Sequence, residues 1–164
     1  MKEAIIEKVT LNIGTGEPGV KLDNAMLLLK NITGTKPIQT LSKKRIPTWK
    51  IRPGLPIGCK VTIRNIEAEK LLKRLLVAKN QTLKKKSFNQ GGVSFGIAEY
   101  IEIPKVEYDP KIGIIGLDVA VTLKRKGFRI KHRRIKKKKI TEKNLISKEE
   151  TIQFMTSKFG VDLI

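Results

Sequence analysis

The chain of 164 residues has one cysteine, one histidine and one tryptophan, and only 15 acidic residues against 35 Lys and Arg. A lone cysteine, Cys59, excludes an internal disulfide framework and any zinc site built on clustered cysteines. With one histidine, no acid pair and no metal-ligand cluster in evidence, enzyme chemistry has nothing to stand on, and no cofactor is expected. No apolar run approaches the roughly 20 residues that a membrane helix needs. Met1-Lys2-Glu3-Ala4-Ile5-Ile6-Glu7-Lys8 leads straight into structured-looking sequence without a secretory pattern, so a soluble intracellular protein is expected. The length fits one domain with basic appendages. At 40% hydrophobic residues the chain can bury a real core, which argues against wholesale disorder.

What the chain has in excess is positive charge, +20 in all, and its placement is uneven. No acid lies between Asp23 and Glu67, between Glu69 and Glu99, or between Asp118 and Glu142, and these windows hold 27 of the 35 basic residues. A halo of lysines kept for solubility mixes in acids of comparable number. A compact chain with this much self-repulsion needs a polyanion or counterions against it, which points to nucleic acid.

Periodicity organises the chain as an α+β domain. Val9, Leu11 and Ile13 alternate with Thr10 and Asn12 as a strand, beginning near Ile5. Ala25, Leu28, Leu29 and Ile32 recur on one helix face, and Gly34 suits a left-handed cap. Short and longer strands follow over 37–41 and 57–64, then a helix over 66–78. Further strands are expected over 97–103 and 114–123. Ser147 with Glu150 three residues on forms a capping box for a last helix over 147–160. The expected fold is two-layered, with a mostly antiparallel sheet, helices on one face and long basic loops at the edges. Residues 42–56 read as a long mobile hairpin carrying Lys43, Lys44, Arg45, Trp49, Lys50 and Arg52. Residues 80–96 read as a second loop bearing Lys84, Lys85 and Lys86. The run 124–140, with Arg129, Arg133 and Arg134, is too charged for its own core; it reads as a solvated tail or, better, an arm threading along RNA.

Gly14-Thr15-Gly16-Glu17-Pro18-Gly19 satisfies a dinucleotide-binding pattern, but no acid follows at the ribose position and Glu17 would repel a pyrophosphate. A tight strand-to-helix turn explains it better. His132 sits among Lys131, Arg133 and Arg134 with no carboxylate partner visible in the sequence, which disfavours a catalytic base. Cys59 alternates with Val61 and Ile63 and reads as a buried structural thiol. Trp49 has two readings: an aromatic that stacks on an unpaired base, or a cap on the core at the hairpin base. Asn12, Thr62 and Arg64 share the polar side of strands whose other side carries Leu11, Ile13, Val61 and Ile63.

No helix-turn-helix, zinc finger or zipper is evident, and long basic loops on an α+β core favour irregular RNA over duplex DNA. Nonspecific compaction of nucleic acid is the alternative. Ile6-Glu7-Lys8-Val9-Thr10-Leu11-Asn12-Ile13-Gly14-Thr15-Gly16-Glu17 resembles the opening of the universal large-subunit ribosomal protein family numbered five. Thr33-Gly34-Thr35-Lys36-Pro37, the block from Lys50 through Ile51-Arg52-Pro53-Gly54 to Arg64, Ser87-Phe88-Asn89-Gln90-Gly91-Gly92-Val93, and Gly116-Leu117-Asp118-Val119-Ala120-Val121-Thr122 continue that resemblance in order. The basic segment that follows, with Ser147-Lys148-Glu149-Glu150-Thr151-Ile152, is similar to the archaeal and eukaryotic branch. The resemblance implies a protein of the central protuberance that binds 5S rRNA, with 23S rRNA and neighbouring central-protuberance proteins as further partners. It also implies a bridge to the small-subunit protein numbered thirteen and an approach of the hairpin to P-site tRNA. By motif it carries RNA contacts onto Asn12, Trp49, Lys50, Arg52, Thr62 and Arg64. Thr35 stands where the family usually has Gln, which removes an amide able to touch a base; Trp49 stands where Phe is common.

Overall fold

Residues 3–164 are described by a computed structural model. In chain order they form β1 (Ala4–Gly14), α1 (Val20–Thr33), β2 (Ile38–Leu41), β3 (Pro56–Ile63), α2 (Asn65–Ala78), β4 (Thr82–Leu83), β5 (Phe88–Asn89), β6 (Gly92–Ile97), β7 (Leu117–Arg125), α3 (Arg129–His132), α4 (Lys148–Phe159) and β8 (Asp162–Leu163). The architecture is α+β, with a mostly antiparallel sheet ordered β2-β3-β1-β7-β6-β5 and a two-stranded parallel pair, β4-β8. The chain divides into two compact units.

The unit built on α1 comprises Thr10–Ile63 and Gly96–Val119. Helix α1 buries Leu22, Ala25, Leu28, Leu29 and Ile32, the one-faced spacing that a helix lying on a sheet requires. It packs against β3, whose Cys59, Val61 and Ile63 are buried. The helix ends where Gly34 takes φ 68° and its N–H reaches the Lys30 carbonyl at 2.7 Å. Strands β2 and β3 pair antiparallel, with Ile38 opposite Lys60 and Thr40 opposite Gly58. The 14–19 glycine motif is the strand-to-helix turn expected of it. Thr15 N–H and Gly16 N–H both donate to the Ile57 carbonyl at 3.0 Å, which ties the turn to β3.

The other unit runs up to Val9 and takes in Arg64–Phe95 and Ala120–Ile164. Its core gathers Leu71, Leu72, Leu75 and Leu76 of α2, Val93 and Phe95 of β6, Val121 and Leu123 of β7, and Met155 and Phe159 of α4. Helix α4 begins on the expected capping box: Ser147 Oγ accepts from Glu150 N–H at 3.1 Å, and Glu150 Oε2 accepts from Ser147 N–H at 2.9 Å. Gly160, at φ 64°, closes it.

Three expected elements are corrected. Residues 80–96 are no simple loop: they contain β4, β5 and most of β6, the last two joined by a two-residue turn at Gln90 and Gly91. The strand expected over 97–103 ends at Ile97, and a 3₁₀ turn at Tyr100–Glu102 follows. Tyr100 is fully buried there, its hydroxyl accepting from Asp109 N–H at 3.1 Å, so tertiary packing sets the turn. The strand expected from residue 114 starts at Leu117; before it, the Ile115 carbonyl accepts from Tyr100 N–H at 3.3 Å, and Gly116 lies so close to the Ala98 carbonyl that a Cβ would sit 2.8 Å from it.

Candidate nucleic-acid interface

Within the α1 unit, strand alternation sends one set of side chains to the core and leaves the other open. Leu11 and Ile13 of β1 are buried while Thr10 and Asn12, which alternate with them, are half-buried. On β3, Lys60 and Thr62 are exposed between Cys59, Val61 and Ile63. The β2–β3 register adds Ile38 and Thr40 to that side. Thr10 Oγ1 and Thr62 Oγ1 lie 3.4 Å apart, so Asn12 and Thr62 are brought to one sheet face, as expected. The Asn12 amide has no hydrogen-bond partner among the described residues, which leaves both its donor and its acceptor for a ligand. Gly58 is part of the reason the strands approach so closely: a Cβ there would meet the Ile13 carbonyl oxygen at 2.6 Å.

The hairpin of this unit is hydrogen-bonded at its base and bridged near its tip. Ser42 N–H donates to the Leu55 carbonyl at 2.8 Å, and Ile46 and Ile51 exchange backbone bonds of 2.9 and 3.1 Å. A 3₁₀ turn, Pro47–Trp49, closes it, with Lys50 at φ 54°. The sequence left two readings of Trp49, and the geometry separates them. Ile51, 8% exposed, is the apolar plug of the hairpin, whereas Trp49 is 70% exposed at its tip. An indole held in water loses hydrophobic burial unless a partner covers it. Lys43, Lys44, Arg45, Lys50 and Arg52 are all exposed beside it, with no acid paired to any of them among the described residues.

In the other unit, Arg64 is not on a strand as expected. It follows the end of β3 as the exposed N-cap residue of α2. Lys84, Lys85 and Lys86 are exposed, and Lys85 N–H donates to the Ile164 carbonyl at 3.1 Å. The run from 124 onward is not an extended arm throughout. Its first residues finish β7, four more form α3, and Lys138 N–H returns to the Ile130 carbonyl at 3.4 Å. Arg129, Arg133 and Arg134 are exposed on this folded segment, with Arg133 Nε–H donating to the Lys136 carbonyl at 2.9 Å. His132 has a carboxylate neighbour that the sequence hid: Glu7 Oε1 lies 3.9 Å from its Nε2. Their separation by more than a hundred positions is why no local pattern could show it.

Sequence reasoning missed further residues. Lys60 follows the same alternation as Thr62 and was legible on that ground. Asp118 is exposed on β7 between buried Leu117 and Val119, with no partner among the described residues. A carboxylate there repels phosphate and accepts from a base amine or a ribose hydroxyl instead. Cys59 is fully buried, and that burial pushes its thiol up to about 11, so it stays an uncharged core residue. Among the described residues no group of three His, Cys, Asp or Glu could hold a metal, and no helix is long and apolar enough to cross a membrane.

Fold and charge together define a class: a small basic α+β protein with an open, acid-poor sheet face and cationic loops suited to lie against a polyanion. The family described as ribosomal protein L5 matches residues 1–52, and the C-terminal part of the same ribosomal family matches residues 56–154. The large ribosomal subunit protein uL5 of Nanoarchaeum equitans is 51% identical over 165 residues, covering 100% of this chain and 98% of its own. Those of Sulfurisphaera tokodaii and Sulfolobus acidocaldarius are each 46% identical, covering all of this chain and 94% and 93% of theirs. The chain belongs to the ribosomal protein L5 family, as a constituent of the large ribosomal subunit in the cytoplasm, with ribosomal RNA as its partner and no enzymatic role.

Proposed function

We propose that this protein binds 5S rRNA through the open sheet face of the α1 unit and helps attach it to the central protuberance. The observation that carries the reading is the face itself: Thr10, Asn12, Lys60 and Thr62 stand together with unspent hydrogen-bonding capacity and, among the described residues, an unpaired cation. Folded RNA presents phosphates, ribose hydroxyls and unstacked base edges, which such a mixture of amide, hydroxyl and ammonium groups matches. The hairpin bearing Lys43, Lys44, Arg45, Trp49, Lys50 and Arg52 extends the cationic surface, with Trp49 available to stack on a base. In this reading the hairpin approaches the P-site tRNA. Arg64, Lys84, Lys85, Lys86, Arg129, Arg133 and Arg134 serve contacts to 5S and 23S rRNA. Neighbouring central-protuberance proteins and a bridge to the small-subunit protein numbered thirteen complete its surroundings. The support for the 5S assignment is the ordered family motifs together with this geometry.

Filter binding of 5S rRNA at moderate salt tests the reading. Asn12→Ala, Arg52→Ala and Arg64→Ala should each weaken binding by about 1–3 kcal/mol, as expected where a charged or buried partner is left unpaired. Affinity unchanged in all three would discard the site. Competition with random duplex DNA separates the alternative, since a compacting protein holds both with equal affinity.

A further inference from the structure

The end of β7 and the folded basic segment after it line a half-open cavity of about 400 Å³, within the range of small-ligand clefts. Its composition is unusual for so cationic a region. Phe128, Ile130 and Ile140 supply apolar walls, whereas Lys126, Lys138 and Lys139 stand among the lining residues and no carboxylate does. The polar groups in the wall are of both kinds. Asn144 Nδ2 donates to Thr141 Oγ1 at 3.0 Å, which leaves the Asn144 carbonyl as an acceptor and the Thr141 hydroxyl as a donor. Arg125 completes the wall. Its side chain is only 14% exposed and its Nη2 donates to Glu150 Oε1 at 2.5 Å. Glu150 is itself fixed by the α4 capping box, so the guanidinium is clamped. Its Nε–H is buried against protein and has no partner among the described residues, so it is the rest of the Arg125 side chain that borders the cavity.

An apolar slot with an aromatic wall, mixed donors and acceptors, and ammonium groups at its edge fits one chemistry. The ring would lie against Phe128, its polar edge would meet the Thr141 hydroxyl and the Asn144 carbonyl, and the flanking phosphates would meet the lysines. We propose that this cavity receives a single unstacked nucleotide of an RNA strand, a site separate from the open face of the α1 unit. The proposal rests on RNA being the partner, and not on which surface holds 5S rRNA.

The test uses the full chain in a Trp49→Ala background, so that the hairpin tip contributes no stacking. Binding of a short single-stranded RNA is compared with that of an abasic strand of equal length and charge, and a 4-thiouridine version is photocrosslinked and mapped. The base-bearing strand should bind about tenfold more tightly, with crosslinks in residues 125–144. Phe128→Ala should abolish the preference while leaving the salt dependence unchanged, and Phe128→Tyr, which keeps the ring, should retain it. Phe128 is only half-buried, so the variants are expected to fold, and an unshifted melting temperature checks this. No preference in the parent, a preference that survives Phe128→Ala, or crosslinks elsewhere would each overturn the proposal. Adenosine monophosphate binding as tightly as the strand would make this a free-nucleotide site and overturn the RNA assignment. A 5S rRNA affinity lost in Asn12→Ala but intact in Phe128→Ala would leave the sheet-face reading standing whichever way this test falls.

Discussion

Gly58 shows how one missing side chain positions the sheet face proposed to bind RNA. It lies on β3 opposite Thr40, where a Cβ would stand 2.6 Å from the Ile13 carbonyl oxygen and 3.0 Å from Thr40 Oγ1. The nearest atom is backbone and has no rotamer through which to yield, so an added methyl must push β3 away from β1. Gly58→Ala is therefore expected to destabilise the protein by about 1–3 kcal/mol, the usual range for overpacking. Because Thr10 and Thr62 sit across the same pair of strands, the variant should also bind 5S rRNA more weakly than its lost stability alone predicts. Urea denaturation followed by binding under conditions where the variant is folded separates the two effects. Wild-type stability in Gly58→Ala would mean that the strands do not approach as closely as the geometry requires.

At the scale of elements, Glu150 holds two structures together, receiving Ser147 N–H with one carboxylate oxygen and Arg125 with the other. Removing the cap hydroxyl with Ser147→Ala should cost about 1 kcal/mol, whereas Ser147→Asp, which keeps an acceptor for the helix N-terminus, should cost much less. Thermal melts of the two variants decide this, and equal losses would contradict the capping role. This helix was legible because its signals are local: a cap, a box and apolar residues at helical spacing. The same holds for α1 and α2, and for Asn12 and Thr62, whose polar positions alternate with core residues. Strand β6 escaped for an opposite reason. Val93, Phe95 and Ile97 alternate correctly, but the intervening Ser94 and Gly96 are small, and the glycines around them imitate a loop. Residues 97–103 carried enough isoleucine to imitate a strand, until Tyr100 turned inward. Trp49 was undecidable because a loop without periodicity gives no face. The Phe128 cavity was hidden because it forms only when Lys138 folds back on Ile130, a contact that no run of like charges advertises.

For the molecule as a whole, a formal charge of +20 on 164 residues sets two effects of salt against each other. In the free protein the cations repel across short distances. Raising ionic strength from about 0.01 to 0.15 M shortens the screening length from roughly 30 to 8 Å, which relieves that repulsion, so the free protein's melting temperature should rise over this range. The complex should respond in the opposite sense. Each neutralised phosphate releases condensed counterions, so a surface making roughly six to ten such contacts loses about 10³–10⁵ in affinity between 50 and 200 mM salt. Bound RNA also stabilises the fold by mass action, so the gain in melting temperature on adding 5S rRNA should shrink as salt increases. Melts of free and bound protein across a salt series measure all three trends at once. A free-protein melting temperature that falls with salt would mean the cations are already compensated within the fold. A binding constant indifferent to salt would mean that phosphates are not what the 27 basic residues of the acid-free windows face.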